Sequence, residues 1–292
     1  MRFISYSTPA TDGPDRRDHR FGVLDASGEG VIDLSERMAG VGNFSDVLAA
    51  ERLGEAASIA AGASADLSLA DVTYERTIPR PGRIFCIGVN YGGRAAEYQD
   101  TTDKSYPSVF VRFPSSFTGH EQALVRPPES DQLDYEGEIV IVIGKGGRRI
   151  AEADARSHIA GACMGNEGTI RDWVRHAKFN VTQGKNWDST GAIGPWMRTI
   201  DEIPDFESLQ ITTTVNGELR QDDSPATMKY PIEYQIAYLS TFCTLDPGDI
   251  IFTGTPTGAG ARFDPPIWLV PGDVVEITVD EIGTLRNTVR DE

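Results

Sequence analysis

Cysteine is scarce in this sequence: Cys86, Cys163 and Cys243 are all there is, each in apolar surroundings and none in a CxxC spacing. That argues against a disulfide framework and against a thiolate zinc site, and it fits a reducing, cytoplasmic setting. Positive charge is short as well, with 27 Lys plus Arg against 44 Asp plus Glu and a net charge of −17. A phosphate backbone is repelled by such a field, so nucleic acid is not expected as a partner. A small anionic substrate then needs a local set of cations or a bound metal. No apolar run approaches the ~20 residues of a membrane span. The first seven residues also turn polar before a signal-peptide core could form, so no membrane association is expected. The Gly-rich run from Gly254 to Gly260 is not followed by Gly-Lys-Ser/Thr and lacks the dinucleotide spacing, which removes nucleotide-binding loops from consideration.

What the sequence does have is turns. With 30 Gly, 17 Pro, 39% apolar and 24% charged residues among 292, it reads as a folded, strand-rich chain. Residues 2–6 suggest a first strand, and 21–25 with 30–34 a hairpin. Residues 44–59 carry a helical pattern with Ser45 as candidate N-cap. The stiff segment Ile78-Pro79-Arg80-Pro81-Gly82 precedes a new apolar strand, so a small α/β domain is expected over 1–75 and a larger, β-dominated domain over 76–292. Strands are expected at 108–113, 138–143, 209–215, 249–253 and 273–279, and helices at 152–159 and 231–239.

The chemistry gathers around Asp134-Tyr135-Glu136-Gly137-Glu138, at the mouth of the apolar run from Ile139 to Ile143. Side chains two apart on a strand share a face, so Glu136 and Glu138 present paired carboxylates. Either this is a solvated acidic strand end, or a hard cation such as Mg²⁺, Mn²⁺ or Ca²⁺ lies between them. A third acid, Glu167, follows Glu138 by 29 residues, within Asn166-Glu167-Gly168-Thr169-Ile170-Arg171-Asp172.

Together with Gly184-Lys185-Asn186-Trp187-Asp188, Gly194-Pro195-Trp196 and Gly254-Thr255-Pro256-Thr257-Gly258, in this order, those motifs make residues 83–289 resemble the fumarylacetoacetate hydrolase family. The motifs come nearest to the 5-carboxymethyl-2-hydroxymuconate and 2-hydroxyhepta-2,4-diene-1,7-dioate isomerases. The resemblance implies an α+β, mainly β fold, a mixed β-sandwich roll with a small N-terminal α/β domain, and a homodimer. It implies one Mg²⁺ or Mn²⁺, with Ca²⁺ as a third option, on Glu136, Glu138 and Glu167. The third ligand in such proteins is usually Asp, and Glu167 reaches one methylene further.

Lys185 is a point charge suited to a developing enolate, and Arg171 can clasp a carboxylate with two parallel hydrogen bonds. Asp188 either orients Lys185 or a water from behind, or caps a turn. In the family, the loop containing Thr255 holds the carboxylate of a 2-oxo acid. Relatives often carry a His and, three residues on, a Glu in a lid; here Glu97 is present, but Arg94 stands at the His position. A guanidinium cannot act as a general base, so Glu97 is left to move the proton. Arg112 stands where relatives often have Lys, and with Arg94 it adds to the cations available for an anionic substrate. His120 and His176 read as surface residues.

The expected function is metal-dependent isomerisation of a 2-hydroxymuconate-type dicarboxylate in aromatic catabolism, through an enolate of a 2-oxo acid or 2-hydroxy-dienoate. Alternatives are C–C hydrolysis of acylpyruvates, oxaloacetate-type decarboxylation, and metal or carboxylate binding without turnover. If Arg94 clamps a distal carboxylate rather than facing solvent, Arg94→Ala raises KM for dicarboxylates and leaves turnover of a monocarboxylate acylpyruvate nearly unchanged. Equal kinetics with both substrate classes would show that Arg94 does not touch substrate.

Overall fold

Every residue from Ile139 to Ile143 is apolar, and a strand with that pattern must be covered on both faces. In the computed structural model, which describes residues 1–10, 16–93, 106–177 and 180–292, the strand Gly137–Ile143 is buried throughout. Ile139, Ile141 and Ile143 join one core with Ile211, Ile277 and Leu285, while Val140 and Val142 join another with Phe3, Phe21, Phe44 and Leu48.

The strand lies near the middle of a twelve-stranded mixed sheet. On one side it pairs antiparallel with Ile159–Asn166, Glu138 opposite Gly165; on the other it pairs antiparallel with Ile250–Phe252, Ile141 opposite Ile251. Beyond Ile250–Phe252 the strand Ile84–Gly88 runs parallel, followed by Ser108–Val111 at the margin. Beyond Ile159–Asn166 comes Gly191–Thr199, and then Arg2–Pro9, Arg17–Leu24 and Gly30–Asp33. A five-stranded sheet, Glu218–Asp223, Ile211–Val215, Val274–Val279, Gly283–Asp291 and Leu124–Arg126 in spatial order, contributes the facing apolar residues of the first core. The architecture is therefore α+β and mainly β.

Strand pairing joins the residues on either side of residue 75, since Arg2 pairs with Arg198 and Phe3 with Met197. The helical pattern over 44–59 is realised as two helices, Phe44–Ala49 and Leu53–Ala61, separated where Glu51 takes a positive φ of 54°. Its cap is Asn43, whose side chain accepts from the Ser45 N–H at 2.9 Å; the Ser45 hydroxyl instead accepts from the Arg80 N–H. Residues Glu152–His158 form a 3-10 helix, and Ile232–Phe242 an α-helix that buries Ile232, Ile236 and Leu239 as expected. Two central strands were not expected. Ile159–Asn166 is Gly- and Ala-rich, and Gly191–Thr199 contains Gly194-Pro195, residues that lower strand propensity and gain their place only from neighbours on both sides.

Gly137, between the two glutamates, faces the second sheet so closely that a Cβ would collide with the buried Thr213 hydroxyl and come within 3.2 Å of Ile277. Gly137→Ala is expected to destabilise the fold by about 1–3 kcal/mol, the usual range for overpacking. An unchanged denaturation midpoint would mean that the two sheets part more easily than this contact indicates.

Candidate active site

Antiparallel register removes the 29-residue separation of the acids. Gly137 pairs with Asn166, and the Glu167 N–H donates to the Glu136 carbonyl at 2.8 Å, so Glu136, Glu138 and Glu167 converge. One carboxylate oxygen from each lies within 4.8 Å of the others, and all three side chains are buried. The solvated strand end is thereby ruled out.

Burying like charges together is unfavourable unless they are paired. Lys185, at the end of the short helix Thr182–Lys185, donates to Glu136 Oε2 at 2.6 Å, to Thr169 Oγ1 at 2.7 Å and to Glu167 Oε2. Arg171 reaches Glu136 Oε1 at 2.9 Å and Asp134 Oδ2 at 2.7 Å. Arg112 reaches Glu167 Oε1 at 2.6 Å. Glu138 differs: its Oε2 accepts the Gly254 N–H at 2.7 Å, and no cation among the described residues pairs with it. Burial, then the charges of Glu167 and Glu136, pushes the Glu138 carboxyl well above the ordinary carboxylate value. Burial also raises Glu167, opposed by Lys185 and Arg112. For Lys185 burial acts downward, but the two carboxylates outweigh it and the ammonium is held charged. Three hard oxygen donors with one uncompensated charge fit a divalent Mg²⁺-, Mn²⁺- or Ca²⁺-type ion.

These groups line a cavity of about 400 Å³ whose remaining wall includes Val89, Ser108, Val109, Phe110, Val174, Val181 and Thr182. Val89 sits at a φ of 57°, an unfavourable conformation for a β-branched residue. The adjacent Asn90 is fully buried and fixes the turn, donating to the carbonyls of Tyr230 and Thr253 at 3.1 and 2.8 Å and accepting from the Tyr230 N–H.

Of the residues expected to form the site, Glu136, Glu138, Glu167, Lys185, Arg171 and Thr255 line this cavity. The Thr255 hydroxyl is engaged with the Gly137 carbonyl and Gln221, so it braces the acidic strand rather than awaiting a carboxylate. Arg112 is corrected from substrate contact to support, because its guanidinium lies out of the cavity behind Glu167. Asp188 is exposed and lines a different cleft with Trp173, Trp187 and Arg290, away from Lys185. Arg94 and Glu97 lie outside the described residues. His120 is not a surface residue: its Nδ1 accepts the Arg286 N–H, and burial, then Arg286, pushes it down to about 4.

Two site residues were missed. Asp134 accepts N–H groups of Gly260 and Ala261 as well as Arg171. The alternation that pairs Glu136 with Glu138 extends back to it, so the signal was present. Gln221 donates to Thr255 Oγ1 and accepts from the Gly137 N–H, and nothing in its own stretch marks it.

Residues 83–290 match the family described as fumarylacetoacetate (FAA) hydrolase, C-terminal. The chain belongs to the fumarylacetoacetate hydrolase family. Within that family it is 43% identical to the oxaloacetate tautomerase YisK of Bacillus subtilis (strain 168) over 226 residues, 76% of this chain and 74% of the relative. Its fold superposes with a TM-score of 0.80 on maleylpyruvate hydrolase from Sphingobium sp. SYK-6, solved with manganese(II) and pyruvate, at 26% identity over 100% of this chain and 99% of that one. It also superposes with a TM-score of 0.75 on 5-carboxymethyl-2-hydroxymuconate delta-isomerase from Mycobacterium smegmatis, at 26% identity over the full length of both. This family member is thus an enzyme whose fold is shared by tautomerase, isomerase and hydrolase. Among the described residues, no helix is long and apolar enough to cross a membrane.

The uncompensated Glu138 gives a test with opposite signs. In a chelator, Glu138→Gln is expected to melt at or above the wild type, because a buried unpaired charge has gone. With Mg²⁺ or Mn²⁺ at 100 times its Kd, wild type gains about 2.7 kcal/mol and the variant much less. A variant stabilised by the ion as strongly as wild type would remove Glu138 from the ligand set.

Proposed function

We propose that this enzyme interconverts the keto and enol forms of a 2-oxo dicarboxylic acid, with oxaloacetate as the substrate and Mg²⁺ or Mn²⁺ on Glu136, Glu138 and Glu167. The observation that carries the reading is a Lys185 ammonium held among Glu136, Glu167 and Thr169 in a cavity that no histidine lines. All four histidines are described. His19 pairs with Glu75, His158 with the Lys145 carbonyl, His176 packs on Trp173, and His120 on Tyr74. A site without an imidazole base suits moving a proton within a substrate better than activating water to cleave it. The 43% identity to an oxaloacetate tautomerase moves the preferred substrate from a 2-hydroxymuconate to oxaloacetate.

Glu136, Glu138 and Glu167 would hold a divalent ion, which would supply Lewis acidity for the 2-oxo acid. Lys185 has all three N–H donors engaged, so it stabilises the developing charge on the substrate's 2-oxygen by exchanging one of those contacts. Arg171, fixed by Asp134 and Glu136, presents positive charge along the cavity wall. Val89, Val109, Val174 and Val181 keep water from the reacting carbons and strengthen these interactions. Glu97, three residues after Arg94, is proposed to carry the proton to and from carbon.

The test follows loss of the enol's ultraviolet absorbance in oxaloacetate with metal-loaded enzyme, together with assays for pyruvate and CO₂. Accelerated enol loss without pyruvate is expected, and Lys185→Met is expected to lower kcat about 10²- to 10³-fold, as for loss of an oxyanion donor. Stoichiometric pyruvate release would replace this reading by decarboxylation, and acylpyruvate cleavage without enol turnover by hydrolysis.

A further inference from the structure

Lys185 donates to Oε2 of both Glu136 and Glu167, and besides that contact each metal-type carboxylate in this site has one oxygen held by another donor of the protein. Arg171 holds Glu136 Oε1, the Gly254 N–H holds Glu138 Oε2, and Arg112 holds Glu167 Oε1. The Arg112 hold is the most rigid. Its side chain has no exposure, and the guanidinium lies 4.1 Å over the Phe117 ring. Besides Glu167 it donates to the Gly168 carbonyl at 2.9 Å, to Ser116 Oγ at 3.1 Å, to the Ser116 carbonyl at 3.3 Å and to Thr190 Oγ1 at 3.3 Å. A planar fork fixed on five acceptors cannot follow Glu167 if that carboxylate rotates.

We propose that Arg112 is a positioning residue that sets the cation preference of the site, by keeping Glu167 to a single oxygen, Oε2, toward the metal. Ca²⁺ takes six to eight oxygens and gains from two-oxygen carboxylate contacts, whereas Mg²⁺ and Mn²⁺ accept six ligands at shorter distances. Glu167 is long enough to turn and offer both oxygens, and the Arg112 fork prevents it. With all three acids held this way, the protein contributes three oxygens, without the two-oxygen contacts from which Ca²⁺ gains most, and the site suits a six-coordinate ion that leaves room for substrate. The same restraint offsets the added freedom of a Glu side chain at this position.

The inference rests on the metal reading of the acids but not on the reaction, and its test reads binding alone. Chelator-stripped protein is titrated calorimetrically with Mg²⁺ and with Ca²⁺, without substrate. Wild type is expected to favour Mg²⁺ over Ca²⁺ at least tenfold. Arg112→Lys keeps the charge but loses the fork, and is expected to shrink that ratio at least tenfold, mainly by tightening Ca²⁺. A merely structural residue would weaken both ions alike or lower only the melting temperature. Should Arg112→Lys not fold, Ser116→Ala removes one anchor of the fork and is expected to shift the ratio in the same direction, by twofold or more. A preference for Ca²⁺ in the wild type, or an unchanged ratio in a folded variant, overturns the assignment of Arg112. Absence of any bound ion in the wild type overturns the metal reading itself.

Discussion

Three carboxylates buried with their oxygens within 4.8 Å of one another form the arrangement on which the rest of the structure depends. In a medium less polar than water their repulsion would be on the order of several kcal/mol per pair. The protein answers with Lys185, Arg112 and Arg171, each on a different carboxylate oxygen or pair of oxygens, and with the Gly254 N–H. Asp134 adds a fourth buried acid that fixes Arg171. Four acids against three cations leave the balance negative, and Glu138 carries the remainder. A bound divalent ion would complete the electrostatics of the site.

Each balancing group comes from a different segment, which explains why the surroundings are so tightly braced. Arg112 follows the marginal strand Ser108–Val111, and Arg171 and Lys185 lie on the short helices Arg171–Val174 and Thr182–Lys185. Gly254 can aim its N–H at Glu138 because it adopts a φ of 105°, and a side chain there would meet Asn90 at 2.7 Å. The loop it opens is tied back to the acidic strand by Thr255 on the Gly137 carbonyl, Tyr135 on the Gly258 carbonyl and the Gly260 N–H on Asp134. A glycine-rich loop that looks ready for an anionic ligand is thus largely committed to the protein's own acids.

The fold is shared with tautomerase, isomerase and hydrolase relatives, so the fold alone does not fix the reaction. Under the proposed reading, what would separate the outcomes is whether a base can deliver water. In this chain the four histidines are occupied elsewhere, and His120 is kept neutral inside a packed corner against Tyr74. The cavity wall instead includes Val89, Val109, Val111, Val174 and Val181.

The sequence by itself singled out Glu136, Glu138, Glu167, Lys185 and Arg171 as site candidates, because strand alternation and motif order are local properties that survive without coordinates. It also placed a strand at 138–143, while the cover on both faces of Gly137–Ile143 was seen only in the structure. It did not show the strands Ile159–Asn166 and Gly191–Thr199, whose Gly and Pro content hides a structure imposed by neighbours. It could not tell a cation that meets substrate from one that holds a ligand, which is why Arg112 and the Thr255 hydroxyl changed roles. Those distinctions depend on which side of a carboxylate a group approaches from. That direction is set by non-local pairing, such as Gly137 with Asn166 and Ile84 with Ile250, so only the tertiary structure decides it.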